Sequence, residues 1–151
     1  TTGSFYHYFA SWPVFTRQLV AHWQEGLTVK VVEAVQTEPD PRQRIDSLIR
    51  AGLLLPHSAE AAIRVWAAID PEVRTVQAAV DQQRFDALYV SALEILHVPR
   101  QAHLFAAWAV YLLVGYEQTM LPVDAPGLAW IVEQLLDALD SGCFATVLTD
   151  D

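Results

Sequence analysis

A carboxylate and an imidazole stand three residues apart at Glu94 and His97. On a helix this spacing puts both side chains on one face, as in helical bundles that hold two metal ions. Such a site needs a second Glu-x-x-His motif and two further glutamates. The chain has one copy of the motif. We therefore interpret His97 as a histidine near a helix C-terminus, where the helix dipole favours it, and keep a metal at Glu94 and His97 as the alternative.

Other chemistry-bearing patterns are missing from the sequence. It contains no glycine-rich phosphate loop, no nucleophile elbow and no His-Glu-x-x-His motif. The single cysteine, Cys143, excludes an internal disulfide framework and a cysteine-rich zinc site. We expect a protein without catalytic activity, cofactor or metal, and a reducing cytoplasm as its location.

Four charged residues on the predicted helices have candidate partners. Glu117 follows the uncharged run 104–116, and a partly buried carboxylate needs a cation or hydrogen-bond donors. We expect it to pair across a dimer, or else to receive a cationic ligand. Asp81 and Arg84 can pair at i, i+3 on one helix, and Arg64 can reach a nearby carboxylate.

Amino-acid composition and net charge exclude further classes of function. The 151 residues are 53% hydrophobic, enough for one buried core, and the formal net charge is −9. All Lys and Arg residues lie at or before Arg100, so the last third has no cation. Because nucleic-acid affinity depends on Lys and Arg, this chain alone should not hold DNA. The run 104–116 is shorter than the roughly 20 residues of a membrane span, and we expect no membrane association and no signal peptide.

Helix start signals recur along the chain. Ser11, Asp40 and Asp70 can each accept hydrogen bonds from a helix N-terminus, and a proline follows within two residues. Apolar residues then recur at helical spacing. The sequence predicts an all-α fold of about six helices, without strands. They run from Ser11 to about Val35, Asp40 to about Leu55, Ser58 through Trp66, Asp70 to about Val98, about Arg100 to Met120, and about Pro126 to Asp140.

The opening stretch carries the most specific pattern. Small polar residues precede aromatic ones in Thr2-Gly3-Ser4-Phe5-Tyr6-His7-Tyr8-Phe9. This stretch resembles the end of the recognition helix in the TetR (tetracycline-repressor) family of bacterial transcription regulators. The stretches 60–73 and 80–84 are also similar to a segment frequent in that family. One departure is Trp12, where many members have a lysine that meets a DNA phosphate.

The resemblance implies a TetR-like architecture. Residues 1–10 would be the remnant of a helix-turn-helix domain whose first two helices are absent from this chain, and residues 11–151 a helical effector-binding and dimerisation domain. Operator DNA would bind only the full-length protein. The residues implied to contact DNA are Thr1, Thr2, Gly3, Tyr6 and His7.

The helix over 100–120 is apolar on every face, so it must be buried on two sides. We predict that one face packs on its own core and that the other forms a homodimeric four-helix bundle with the last helix. The predicted dimer-interface residues are Phe105, Ala109, Leu113, Leu128, Ile131 and Leu135.

Large rings on the middle helices suggest an effector pocket. TetR-like proteins bind small effectors among those helices, and the rings here predict an apolar or aromatic effector, although such rings are also ordinary core residues. The predicted pocket residues are Trp66, Phe85, Tyr89, Trp108, Tyr111 and Glu117. The resemblance thus implies a ligand-responsive repressor. The alternative is a helical small-molecule- or metal-binding bundle with no DNA role.

Overall fold

The computed structural model describes residues 9–147 of the chain. The described part is all-helical and has no strand, as the sequence predicts. The first helix, α1, comprises Trp12–Gln24, a π-helical stretch Glu25–Val29, and Lys30–Gln36. The other helices are α2 (Pro41–Leu53), α3 (His57–Ala67), α4 (Pro71–Leu96), α5 (Pro99–Gln118) and α6 (Ala125–Asp140), followed by a short 3-10 turn at Cys143–Thr146.

Three helices begin at the predicted start signals. The Ser11 hydroxyl accepts from the Val14 amide at 3.4 Å, and the Asp40 carboxylate accepts from the Arg42 amide at 2.8 Å. Asp70 accepts from the amide of Glu72 at 2.9 Å. Each of these helices has a proline in its first turn, where the missing N–H leaves no bond unmade.

Two local features differ from the prediction. Helix α3 begins at His57 rather than at Ser58, and its N-cap is Pro56. In α1 the π-helical stretch Glu25–Val29 interrupts the α-helical pattern. A π-helical turn inside an α-helix is rare and often marks a functional position, and here it lies in the middle of α1.

Helix α4 is the central element, because it packs against α1, α2, α3 and α5. Its C-terminal half joins the larger core, in which Ile45 of α2, Phe105 of α5 and Leu135 of α6 are fully buried. Its N-terminal half joins a smaller apolar cluster of Val20, Trp23, Ala67, Val73 and Val80. The middle of α4, between the two cores, carries Asp81 and Arg84.

The faces of α5 and α6 are oriented differently from the prediction. Phe105 and Ala109, predicted to meet a partner, are buried in the protomer's own core, as are Leu128 and Leu135. These four side chains therefore have almost no surface left to bury against a second copy. Of the other predicted interface residues, Leu113 is half-buried and Ile131 is exposed.

The opposite face of α5 points outward. Trp108 is 45% exposed and Tyr111 is 72% exposed, although both were predicted to line a pocket. The sequence could not choose between the two faces of α5, because both are apolar. In the described part of the chain, no helix is both long enough and apolar enough to cross a membrane.

We expect truncation of the buried Phe105 side chain to destabilise the fold strongly. Phe105→Ala should lower the free energy of unfolding by about 3–5 kcal/mol, because it leaves a cavity among α2, α4, α5 and α6. Urea denaturation measures this change. The control Val65→Ala, at an exposed position of α3, should change stability by less than about 0.5 kcal/mol. Equal losses in the two variants would contradict the packing.

Candidate functional site: an aliphatic cavity beside a buried charge layer

A cavity of about 80 Å³ lies among the helices, and each of the six contributes to its lining. Its walls are almost entirely aliphatic. Helix α1 supplies Leu27 and Val31, α2 supplies Ile49, and α5 and α6 supply Leu113 and Val132. Small molecules bind in mostly apolar cavities with a few placed polar groups, and this cavity has that character.

The polar residues of the lining are Thr28, Arg64, Asp81 and Arg84. Arg64 of α3 donates two hydrogen bonds to the Asp81 carboxylate of α4, at 2.7 and 2.9 Å. Such a two-bond pair fixes the planes of both groups and is stronger than a single contact. The Arg64 pKa is raised, mainly by its hydrogen bond to Asp81 and against the opposing effect of burial.

A second ion pair lies beside the first. Arg84 donates to the Glu60 carboxylate at 2.9 and 3.3 Å, and Glu60 is 1% exposed. The indole Nε1–H of Trp23 also donates to Glu60, at 2.6 Å. The predicted pairing of Asp81 with Arg84 along α4 is therefore replaced by two pairs between α3 and α4. We call Glu60, Arg64, Asp81 and Arg84 the charge layer.

The charge layer holds α1 at two points. Trp23 bonds to Glu60, and the buried hydroxyl of Thr28 accepts from Arg84 Nε at 3.1 Å. Thr28 belongs to the π-helical stretch and lines the cavity together with its neighbour Leu27. The irregular part of α1 thus contacts both the charges and the cavity.

Glu117 lies within the protomer's interior rather than at a partner's surface. Its side chain is fully buried, and its Oε1 lies 3.1 Å from Nδ1 of His57 in α3. Its other oxygen, Oε2, is buried without a hydrogen-bond partner in the described part of the chain. Burial raises the pKa of Glu117, and the bond to His57 opposes this effect. The prediction that Glu117 pairs across a dimer is wrong, because its partner belongs to the same chain.

None of the six residues predicted to contact an effector lines the cavity. Trp66 packs against the smaller apolar cluster. Phe85 and Tyr89 stack with ring centroids 6.0 Å apart, and Phe85 meets the His103 ring edge to face at 5.2 Å. Trp108 and Tyr111 are exposed. Their contact with an effector stays a prediction, which these positions do not favour.

Four residues predicted for the dimer interface line the cavity instead. They are Ala109, Leu113, Leu128 and Leu135. Sequence reasoning missed them as cavity residues because it looked for large rings, whereas the cavity is built from aliphatic side chains. The available signal was the run of small and branched residues on the face of α5 opposite Trp108 and Tyr111.

The predicted DNA-contact residues Thr1, Thr2, Gly3, Tyr6 and His7 lie outside the described residues. The motif considered for a metal is inside them. Glu94 forms an ion pair with Arg44 at 2.6 Å, and His97 ends α4 with a left-handed backbone. Among residues 9–147, no three or more His, Cys, Asp or Glu side chains converge as they would around a metal ion.

Comparison with models of protein families, with curated proteins and with solved structures found no match for this chain.

Burial of Glu117 predicts a pH-dependent loss of stability. A pKa raised in the folded state means that the folded protein binds this proton more tightly than the unfolded chain does. The contribution of Glu117 is therefore fully present below the ordinary glutamate pKa of 4.5 and is lost as pH rises through the folded-state value. Glu117→Gln, which can keep a hydrogen bond to His57, should remove this loss.

Urea denaturation of the wild type and Glu117→Gln across the range from about pH 4 to pH 8 tests this expectation. The difference in unfolding free energy should shift in favour of the variant as pH rises. The exposed Glu133→Gln on α6 serves as a control and should show no such shift. A difference between wild type and Glu117→Gln that stays constant with pH would contradict the prediction.

Proposed function

We propose that this chain is the effector-binding and dimerisation region of a ligand-responsive transcription regulator of the TetR type, acting as a repressor. The observation that carries the proposal is that one helix, α1, both lines the aliphatic cavity and leads back to the N-terminal stretch that resembles a recognition helix. A ligand in the cavity would therefore contact α1, the helix that follows the proposed recognition helix.

Helix α1 is suited to carry a response. Its N-terminal part packs against the smaller apolar cluster through Val20 and Trp23, and its π-helical stretch places Leu27 and Thr28 in the cavity wall. An occupant that displaces Leu27 or Thr28 would tilt the helix about the Trp23 contact. The tilt would change the separation of two recognition helices in a dimer, and with it the fit to paired operator half-sites.

The outward faces of α5 and α6 favour a homodimer. Trp108 and Tyr111 on α5 are exposed, as are Trp130 and Ile131 on α6. Exposed large apolar residues of this kind mark interaction surfaces when they are grouped, and a two-fold dimer uses one such surface twice. The proposed interface therefore uses the other face of α5 from the one that the sequence predicts.

The alternative, a helical small-molecule-binding protein with no DNA role, shares the same cavity. The two functions differ only in what the N-terminal stretch does. The measurement that separates them is DNA binding.

A mobility-shift titration of the complete gene product against the promoter DNA of its own gene tests the proposed function. We expect saturable binding that weakens as salt rises, because phosphate contacts release counterions. The 151-residue chain, with its net charge of −9, should bind far more weakly. Absence of binding by the folded complete product would contradict the regulator and favour the small-molecule-binding alternative.

The proposed interface predicts that a charge at Tyr111 disrupts the dimer. Tyr111→Glu should weaken self-association by about tenfold or more, because each copy would bury an unpaired carboxylate in the proposed interface. Sedimentation equilibrium measures the change. Val65→Glu, exposed on α3, is the matched control and should leave the dimer intact. A dimer unaffected by Tyr111→Glu would contradict the interface.

A further inference from the structure

We propose that the cavity takes a small, uncharged, saturated molecule with one hydrogen-bond acceptor, such as a ketone, ester or ether oxygen. This inference rests on the proposed function in one respect, because the ligand would then be the effector of the regulator. The proposal depends on three properties of the site, which are the wall chemistry, the balance of charge and one unsatisfied donor.

The wall chemistry favours a saturated ligand. In the described part of the chain the lining contains no aromatic ring, and branched aliphatic side chains such as Ile49, Val110 and Val132 form most of it. A flat aromatic ligand would find no ring to stack on, whereas a saturated chain or ring is matched by methyl and methylene groups on all sides. The volume of about 80 Å³ admits only a small molecule.

The balance of charge disfavours an ionic ligand. Arg64 is paired with Asp81 and Arg84 with Glu60, each through two hydrogen bonds. A ligand carboxylate would therefore have to displace an internal carboxylate from its arginine, and a ligand ammonium would have to displace an arginine. Either ion would lose its hydration without gaining a free counterion.

The unsatisfied donor is the Nε–H of Arg64. Both terminal nitrogens of this guanidinium are used by Asp81, but Nε is buried and has no acceptor in the described part of the chain. Arg64 belongs to the lining of the cavity. A buried donor without an acceptor is costly, so a ligand oxygen that accepts from it gains an interaction that a hydrocarbon of the same shape does not.

A matched series of six-membered rings tests the ligand class directly. The probes are cyclohexanone, cyclohexane, cyclohexanecarboxylate and cyclohexylammonium, each titrated into the purified chain at neutral pH while methyl resonances are followed by NMR. We expect cyclohexanone to bind about fivefold or more tightly than cyclohexane, and neither ion to perturb the cavity methyl groups. Tighter binding of either ion, or equal binding of cyclohexanone and cyclohexane, would overturn the proposal.

Two variants locate the interaction. Arg64→Lys keeps a positive charge beside Asp81 but removes the Nε–H, so it should lower cyclohexanone affinity to that of cyclohexane and leave cyclohexane affinity unchanged. Cyclohexane binding itself shows that the variant is folded. Leu113→Trp, which fills the cavity from α5, should abolish binding of both rings, and thermal unfolding checks that this variant folds.

Persistence of the cyclohexanone preference in folded Arg64→Lys would overturn the role of Arg64. If folded Leu113→Trp bound either ring with wild-type affinity, the proposed location of the ligand would be overturned. The series involves no DNA, so its failure is distinguishable from failure of the proposed function. If the ring series succeeds and the complete gene product does not bind its promoter, the ligand class stands and the regulator does not.

Discussion

The arrangement of the helices depends on the hydrogen bonds and the ion pair of the buried Glu60 carboxylate. A carboxylate that is 1% exposed must be paired or it costs several kcal/mol. Glu60 is paired with Arg84 of α4 and accepts from the indole of Trp23 in α1. One side chain of α3 therefore binds the two longest helices, and its requirement for partners fixes where they cross.

The charge layer also explains why a cavity exists beside it. The two apolar cores meet α4 at opposite ends, and the ion pairs of Asp81 and Arg84 occupy the middle of that helix. Side chains committed to these bonds cannot collapse into neighbouring space as aliphatic side chains do. The Thr28 hydroxyl, bonded to Arg84, ties the π-helical stretch of α1 to the same layer. The cavity, the charge layer and helix α1 thus form one unit.

Local sequence signals predicted the helices well, but they did not predict which residues pair or pack in the tertiary structure. The caps at Ser11, Asp40 and Asp70 depend on neighbouring residues, so their positions could be read from the sequence. The partners of Asp81 and Arg84 could not be read in this way, because each residue pairs with a distant residue instead of with the other. Asp81 pairs with Arg64, 17 residues away in the chain, and Arg84 pairs with Glu60, 24 residues away. The inward face of α5 was equally undetermined, since Phe105 and Trp108 are both apolar and only packing distinguishes them.

A double-mutant cycle across Glu60 tests the central claim most directly. Trp23→Phe removes one donor to the carboxylate, Arg84→Met removes the other, and urea denaturation gives the unfolding free energy of both single variants and the double variant. If Glu60 joins α1 to α4, the two losses should be coupled by about 1 kcal/mol or more. Strictly additive losses would show that Trp23 and Arg84 act independently and would contradict the account.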